Sequence, residues 1–202
     1  MADIGNSYFH IYNGKTVVHL SYKDAIAQYH DKDLLYISVK HQLEDKITMI
    51  KNWENISSLM MVEGGYETMG VDRKALCLSH KDGIFVDAGS AITVDIVKDA
   101  RYVGGFILPG LHAYIQSYKA ISPALDVVLS KEINLDELPL TTKEQISYGI
   151  IASIKALIDK HSKGKKLYFT GGDGRFLSQY FKEAVYDEML VFDGMQQALC
   201  AN

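Results

Sequence analysis

Twice in this chain an acidic residue at the end of a short apolar run is followed by one residue, a glycine, a small polar residue and then a second β-rich run. The first copy is Ala2-Asp-Ile-Gly-Asn-Ser-Tyr-Phe-His-Ile-Tyr12, and the second is Gly83-Ile-Phe-Val-Asp-Ala-Gly-Ser-Ala-Ile-Thr-Val-Asp-Ile-Val97. Each reads as strand, tight acidic turn, strand. A carboxylate at a strand end beside a glycine turn suits a nucleotide's phosphates, because glycine lets backbone N–H groups approach an anion and the acid can hold a cation. Taken singly, an acid before glycine is equally well a plain turn former. The repetition is what constrains the fold.

Around the two turns the chain repeats itself in outline. In the first half, runs at 8–12 and 16–20 flank Asn13-Gly14, a hairpin signal, and Ser21 caps a helix through Tyr29. Leu34 to Val39 reads as a buried strand, Gln42 to about Ile50 as a helix, Ser58 to Val62 as a strand, and Asp72 to His80 as a helix. The second half restarts at Gly83 with strands to Asp87, from Ala91 to Val97 and from Arg101 to Leu108, then a helix from Leu111 to Tyr118. After an irregular segment comes the longest periodic pattern, Ile146, Ile150, Ile154, Leu157 and Ile158. Thr141 and Thr142 open it, with Glu144 and Gln145 three residues on, a doubled capping box. Leu167 to Thr170 reads as strand, then a short helix through Phe181, a strand from Met189 to Phe192 and a terminal helix from Asp193. The expectation is an α/β chain of two similar lobes, 1–81 and 82–202, packed closely with a ligand in the cleft between them.

Composition narrows the chemistry. With 202 residues, 48% hydrophobic and 23% charged, the chain can bury a sizeable core, and no apolar run approaches the roughly 20 residues of a membrane span. The first residues have no basic start and Asp3 interrupts their apolar run, so the expected compartment is the cytoplasm. Two cysteines without C-x-x-C spacing, and seven histidines with no pair three or four apart, give no zinc or disulfide pattern. A net charge of −4 gives no footprint for nucleic acid, and the basic Lys163-Gly-Lys-Lys166 reads as a solvated loop.

Six motifs in order then carry a resemblance over nearly the whole chain. They are Asp3-Ile-Gly-Asn-Ser7, Gly70-Val-Asp-Arg73, Asp87-Ala-Gly-Ser-Ala91 with Thr93 and Asp95, Gly104-Gly-Phe-Ile-Leu-Pro-Gly110, Thr141-Thr142 and Thr170-Gly-Gly172. Together they resemble the type III pantothenate kinases of the actin-like kinase superfamily, and chance matches in one order are improbable because they multiply. The resemblance implies duplicated actin-like, ribonuclease H-like lobes, each a mixed sheet flanked by helices, with ATP in the interlobe cleft. It implies ATP-dependent phosphorylation of (R)-pantothenate to (R)-4′-phosphopantothenate, the first step of coenzyme A biosynthesis.

The same resemblance distributes roles. Gly5, Asn6, Ser7 and Tyr8 would meet the phosphates of ATP, Asp3 would hold Mg²⁺ directly or through water, and Ser90 would give ATP a hydroxyl contact. Asp87 would be the site of an activating monovalent cation, K⁺ or ammonium. Asp72 would be the general base on pantothenate's primary hydroxyl, Arg73 would bind its carboxylate, and Tyr66, Gly70, Val71 and Thr142 would line its pocket. On the residues alone Asp72 is also a candidate helix N-cap, Thr142 a cap, Tyr66 a loop aromatic covering the core and Arg73 a surface arginine. Serine stands at positions 7 and 90, where the family pattern has threonine. Family members are homodimers, which implies one here. Two other readings stay open: a transcriptional accessory protein of the Bvg accessory factor type, and an actin-like ATPase or phosphatase with another acceptor.

Overall fold

The computed structural model describes residues 1–40 and 44–201. They form two compact units. The first joins Met1–Asp82 to Val97–Val103 and Glu188–Asn202, and the second joins Gly83–Ile96 to Gly104–Asp187.

The first unit is built on a five-stranded sheet of β1 (Ala2–Ile4), β2 (Phe9–Tyr12), β3 (Val17–Leu20), β4 (Leu34–Ser38) and β5 (Trp53–Asn55), in the order β3-β2-β1-β4-β5. β1 runs antiparallel to β2, with Asp3 opposite His10, and parallel to β4, with Asp3 beside Ile37. The turn between β2 and β3 forms where its residues demand it: Asn13 Oδ1 accepts from the N–H groups of Lys15 and Thr16, and Gly14 takes a φ of 94°. α1 (Tyr22–Tyr29) starts as expected, Ser21 Oγ accepting from Asp24 N. α2 (Glu44–Ile47) buries Ile47, while Gln42 and Leu43, part of the expected helix, lie outside the described residues. α3 (Val71–Leu78) and α7 (Leu190–Ala201) complete the unit.

The second sheet is built of β6 (Gly83–Ala88), β7 (Ala91–Lys98), β8 (Arg101–Pro109), β9 (Leu167–Thr170) and β10 (Val185–Tyr186), and it lies in the second unit except for the end of β7 and the start of β8, which belong to the first. Its strands take the order β10-β9-β6-β7-β8. That is the first sheet's arrangement read from the other edge. β6 runs parallel to β9, which places Asp87 beside Thr170. Asp3 and Asp87 are each the penultimate residue of the central strand of their sheet. In both sheets the connection reverses direction beside that strand, the kind of switch point where open α/β sheets bind ligands. α4 (Leu111–Ile121), α5 (Thr142–Ser162) and α6 (Gly174–Ser178) flank this sheet. α5 is capped by Thr141, whose Oγ1 accepts from Glu144 N at 3.4 Å and donates to Glu144 Oε2 at 2.7 Å, so the first of the two candidate threonines is the cap. Its buried stripe is Ile146, Ile150, Ile151, Ile154 and Ile158, whereas Leu157 is 39% exposed.

Two expected strands are something else. Ser58 to Val62 is not a strand: Ser57–Leu59 is a 3₁₀ turn, started by Asn55 Oδ1 accepting from Ser57 N, and the strand lies earlier at Trp53–Asn55. Trp53 decides this, its ring packed on Phe9 and Tyr36 and its Nε1–H donating to Tyr29 O at 3.0 Å. Met189 to Phe192 runs into the first turn of α7, because Leu190, Val191, Phe192, Gly194 and Met195 are all buried and a helix covered on several sides reads as an unbroken apolar run. Among the described residues no helix is long and apolar enough to cross a membrane.

Candidate active site

In the first unit, the chain leaves β1 through a tight turn in which Gly5 N donates to Tyr8 O at 3.1 Å. Outside contacts hold the turn: Tyr22 Oη donates to Gly5 O at 2.8 Å and Lys40 Nζ to Asn6 O at 3.0 Å. Asp3 is 9% exposed, whereas Asn6, Ser7 and Tyr8 face solvent. A buried carboxylate thus lies under a rim of exposed polar groups.

The start of α3 gathers a second set. Gly70 is the N-cap and contributes no side chain, so Asp72 is not the cap but sits in the first turn, its Oδ1 accepting from Arg73 N at 2.7 Å. Glycine at 70 makes room for that carboxylate, since a Cβ there would stand 2.5 Å from Asp72 Oδ1. Arg73 is no surface arginine: it is 7% exposed, with Nη1 donating to Tyr66 Oη at 2.6 Å and Nη2 to Tyr102 Oη at 3.4 Å. Tyr66 is 44% exposed, so the guanidinium is held from within beside a ring that reaches water. The N-terminal turn of a helix favours anions, and a guanidinium fork suits a carboxylate.

In the second unit three of the sequence motifs meet at the turn after β6. Gly89 N donates to Ala91 O at 3.0 Å, Gly110 N to Ser90 O at 3.2 Å, and Asp173 N to Ala88 O at 2.9 Å. A Cβ on Gly110 would collide with the backbone oxygens of Gly89 and Ser90. One on Gly171, whose φ is +83°, would collide with Asp87 Oδ1 and Ala88 O. Both glycines are therefore required by close backbone approach to the acidic turn. Burial raises the pKa of the Asp173 carboxyl, with Lys131 pulling it the other way. Thr142 is exposed, at the first position of α5.

Residues 39–163 match the family model for type III pantothenate kinase. The type III pantothenate kinase of Campylobacter hominis is 42% identical over 201 residues, covering 96% of this chain and 95% of that protein. The chain belongs to the type III pantothenate kinase family. A crystal structure from Campylobacter jejuni, described as a Baf family transcriptional activator, is 38% identical, covers 100% of this chain and 97% of its own, and superposes with a TM-score of 0.90. At 12% identity and a TM-score of 0.51, component A of the (R)-2-hydroxyglutaryl-CoA dehydratase of Acidaminococcus fermentans shares the fold. The two α/β units have the actin-like fold.

For a type III pantothenate kinase, the structure brings together Tyr66, Gly70, Asp72 and Arg73 in the first unit and Asp87, Ser90, Gly110 and Gly171 in the second. Tyr102 was missed from the sequence. Its alternation along β8 marked it as inward-facing, but nothing in the spacing tied it to Arg73, 29 positions away. Nor did the spacing tie His10 to His19, whose Nδ1 atoms lie 2.6 Å apart.

That pair makes stability pH-dependent. Burial, and then His19 beside it, lowers the pKa of His10 from 6.5 to about 4. Between those values the unfolded chain binds a proton that the folded chain refuses, so this contribution is full above pH 6.5 and falls away toward pH 4. Urea unfolding at pH 7.5 and pH 5 should show the wild type losing on the order of 1 kcal/mol more than His10→Gln, since solvent reaches part of the ring. Equal losses would remove His10 as the cause.

Proposed function

We infer that this chain phosphorylates (R)-pantothenate with ATP, giving (R)-4′-phosphopantothenate in the first step of coenzyme A biosynthesis. The observation that carries the reading is the group at the head of α3, in a chain that aligns along nearly its whole length with a type III pantothenate kinase. There an acid in the first helical turn adjoins a buried arginine held by two tyrosine hydroxyls. Phosphoryl transfer asks a protein mainly to position its reactants and to stabilise charge.

In this reading Asp72 takes the proton from the primary hydroxyl of pantothenate as that oxygen attacks the γ-phosphorus. Arg73 binds the pantothenate carboxylate, and Tyr66, Gly70, Val71 and Thr142 line the pocket. The backbone and side chains of Gly5, Asn6, Ser7 and Tyr8 donate to the phosphates, and Ser90 supplies a hydroxyl to ATP. Among the described residues no three histidine, cysteine or acidic side chains cluster as a metal cage. The buried Asp3 carboxylate beside the exposed turn suits Mg²⁺, which usually binds one or two carboxylates together with substrate phosphates. Asp3 would hold it, and it would neutralise charge on the transferring group. Asp87 would hold a monovalent cation, K⁺ or ammonium. A cytoplasmic homodimer belongs to the same reading.

The description of the Campylobacter jejuni structure favours a second reading, a transcriptional accessory role of the Bvg accessory factor type. The net charge of −4 argues against direct DNA binding. An ATPase or phosphatase with another acceptor would have no use for a carboxylate-binding arginine beside Asp72.

The deciding experiment measures ADP formation with and without pantothenate, in potassium and then in sodium buffer. Pantothenate-dependent turnover that is faster in potassium is expected, and turnover indifferent to pantothenate would overturn the assignment. Arg73→Lys should raise KM for pantothenate by roughly 10-fold to 100-fold, the loss expected for a hydrogen bond between charged groups. An unchanged KM would remove Arg73 from the carboxylate.

A further inference from the structure

The first sheet carries a row of ionisable side chains, only one of which has a part in the phosphoryl transfer described above. Asp3 on β1 is paired with His10 on β2, and His10 with His19 on β3, so all three stand on one face of the sheet. His10 Nδ1 meets His19 Nδ1 at 2.6 Å, the rings crossing edge to face with centroids 4.8 Å apart. The opposite edge of the His10 ring lies against the glycine of the first acidic turn. A Cβ on Gly5 would stand 3.6 Å from His10 Nε2 and 3.8 Å from Cδ2. One imidazole thus spans from an exposed histidine to the turn.

An Nδ1···Nδ1 hydrogen bond holds a single proton, and its owner decides what the far nitrogen of His10 presents. If His10 donates, its Nε2 is a bare lone pair facing the turn. If His19 donates, His10 carries its proton on Nε2 and turns a donor toward Gly5. Two effects select the second arrangement. His19 is exposed, so when it donates through Nδ1 its Nε2 lone pair is solvated by water, whereas a lone pair on His10 Nε2 would stand against the Gly5 turn. An anion at the turn acts in the same direction, since it repels a lone pair and attracts an N–H.

We propose that His10 contacts a phosphate of the bound nucleotide through a neutral Nε2–H, and that His19 is the positioning residue that locks His10 in that tautomer. The ligand class is the polyphosphate of a nucleoside triphosphate, and the inference rests on the reading of the Gly5 turn as a phosphate site. It adds to that turn a donor carrying no charge.

The test combines ¹⁵N spectra of the histidines in the whole protein with steady-state kinetics. The spectra should show His10 as the Nε2–H tautomer, with its Hε2 resonance shifting when a non-hydrolysable ATP analogue and Mg²⁺ are added. Asparagine places its amide where Nδ1 was, whereas the amide of glutamine reaches the place of Nε2. His10→Asn should therefore raise KM for ATP about tenfold, His10→Gln should stay within about threefold of wild type, and KM for pantothenate should not move. His19→Ala should turn His10 into a mixture of tautomers and raise KM for ATP several-fold. An Nδ1–H tautomer in the bound state, or Asn and Gln variants that behave alike, would overturn the proposal. If the wild type shows no pantothenate-dependent turnover, the acceptor assignment falls by itself, and the response of His10 to nucleotide still decides this inference.

Discussion

Asp72→Asn should fold like the wild type, bind both substrates and turn over about 10²-fold to 10⁴-fold more slowly, the range contributed by a positioned general base. Asparagine keeps an oxygen that can accept from Arg73 N, as Asp72 Oδ1 does at 2.7 Å, so the helix start is preserved. What disappears is the ability to take a proton. Gly70 is the N-cap of α3, so the mutation removes no cap, and a melting temperature near that of the wild type is expected. The measurement is kcat with both KM values, alongside a thermal melt. A variant with wild-type kcat would leave Asp72 with only a structural part, and the proton acceptor would have to be sought elsewhere.

Gly194→Ala should be the most destabilising single methyl group in the first unit. Gly194 lies in α7 where that helix crosses α3, and a Cβ there would collide with the carbonyl oxygen and carbon of Ala75. The obstacle is the backbone of another helix, which cannot rotate aside as a side chain can. Overpacking of this kind costs about 3 kcal/mol. For a chain of this size it corresponds to a fall in Tm of roughly 6–12 °C. Because α3 carries Asp72 and Arg73, kcat/KM should fall with stability. Gly149→Ala is the control: nothing stands within 4 Å of its Cβ in the middle of α5, so it should gain a few tenths to about 1 kcal/mol from helix propensity. If the two variants melt alike, the close crossing of α3 and α7 is not a constraint.

Several features of the chain are local and were legible for that reason. Asn13 and Gly14 form their turn with bonds spanning three residues at most, and Ser21 and Thr141 cap helices through N–H groups three residues away. A capping box or an Asx turn brings its own partners, so its residue types carry the answer. Periodicity served where it was long, as in α5, and failed where it was short. Ser58 to Val62 and Met189 to Phe192 are apolar runs of four or five residues, too brief to separate a buried strand from a buried helix turn.

The two acidic turns, their order and the four other motifs were determined by sequence alone, because each depends on residues adjacent in the chain and the pattern repeats. Only the tertiary structure decided what surrounds them. Gly171 closes on Asp87, Gly110 on Ser90, Tyr102 on Arg73 and His19 on His10, the pairs being joined by loop packing, by a helix against a strand and by strand pairing. These contacts arise when a sheet sets its register and brings distant backbones within van der Waals reach, a condition no stretch of sequence contains by itself. The acids were visible as letters, and the environment that sets what each can do exists only once the sheets have formed.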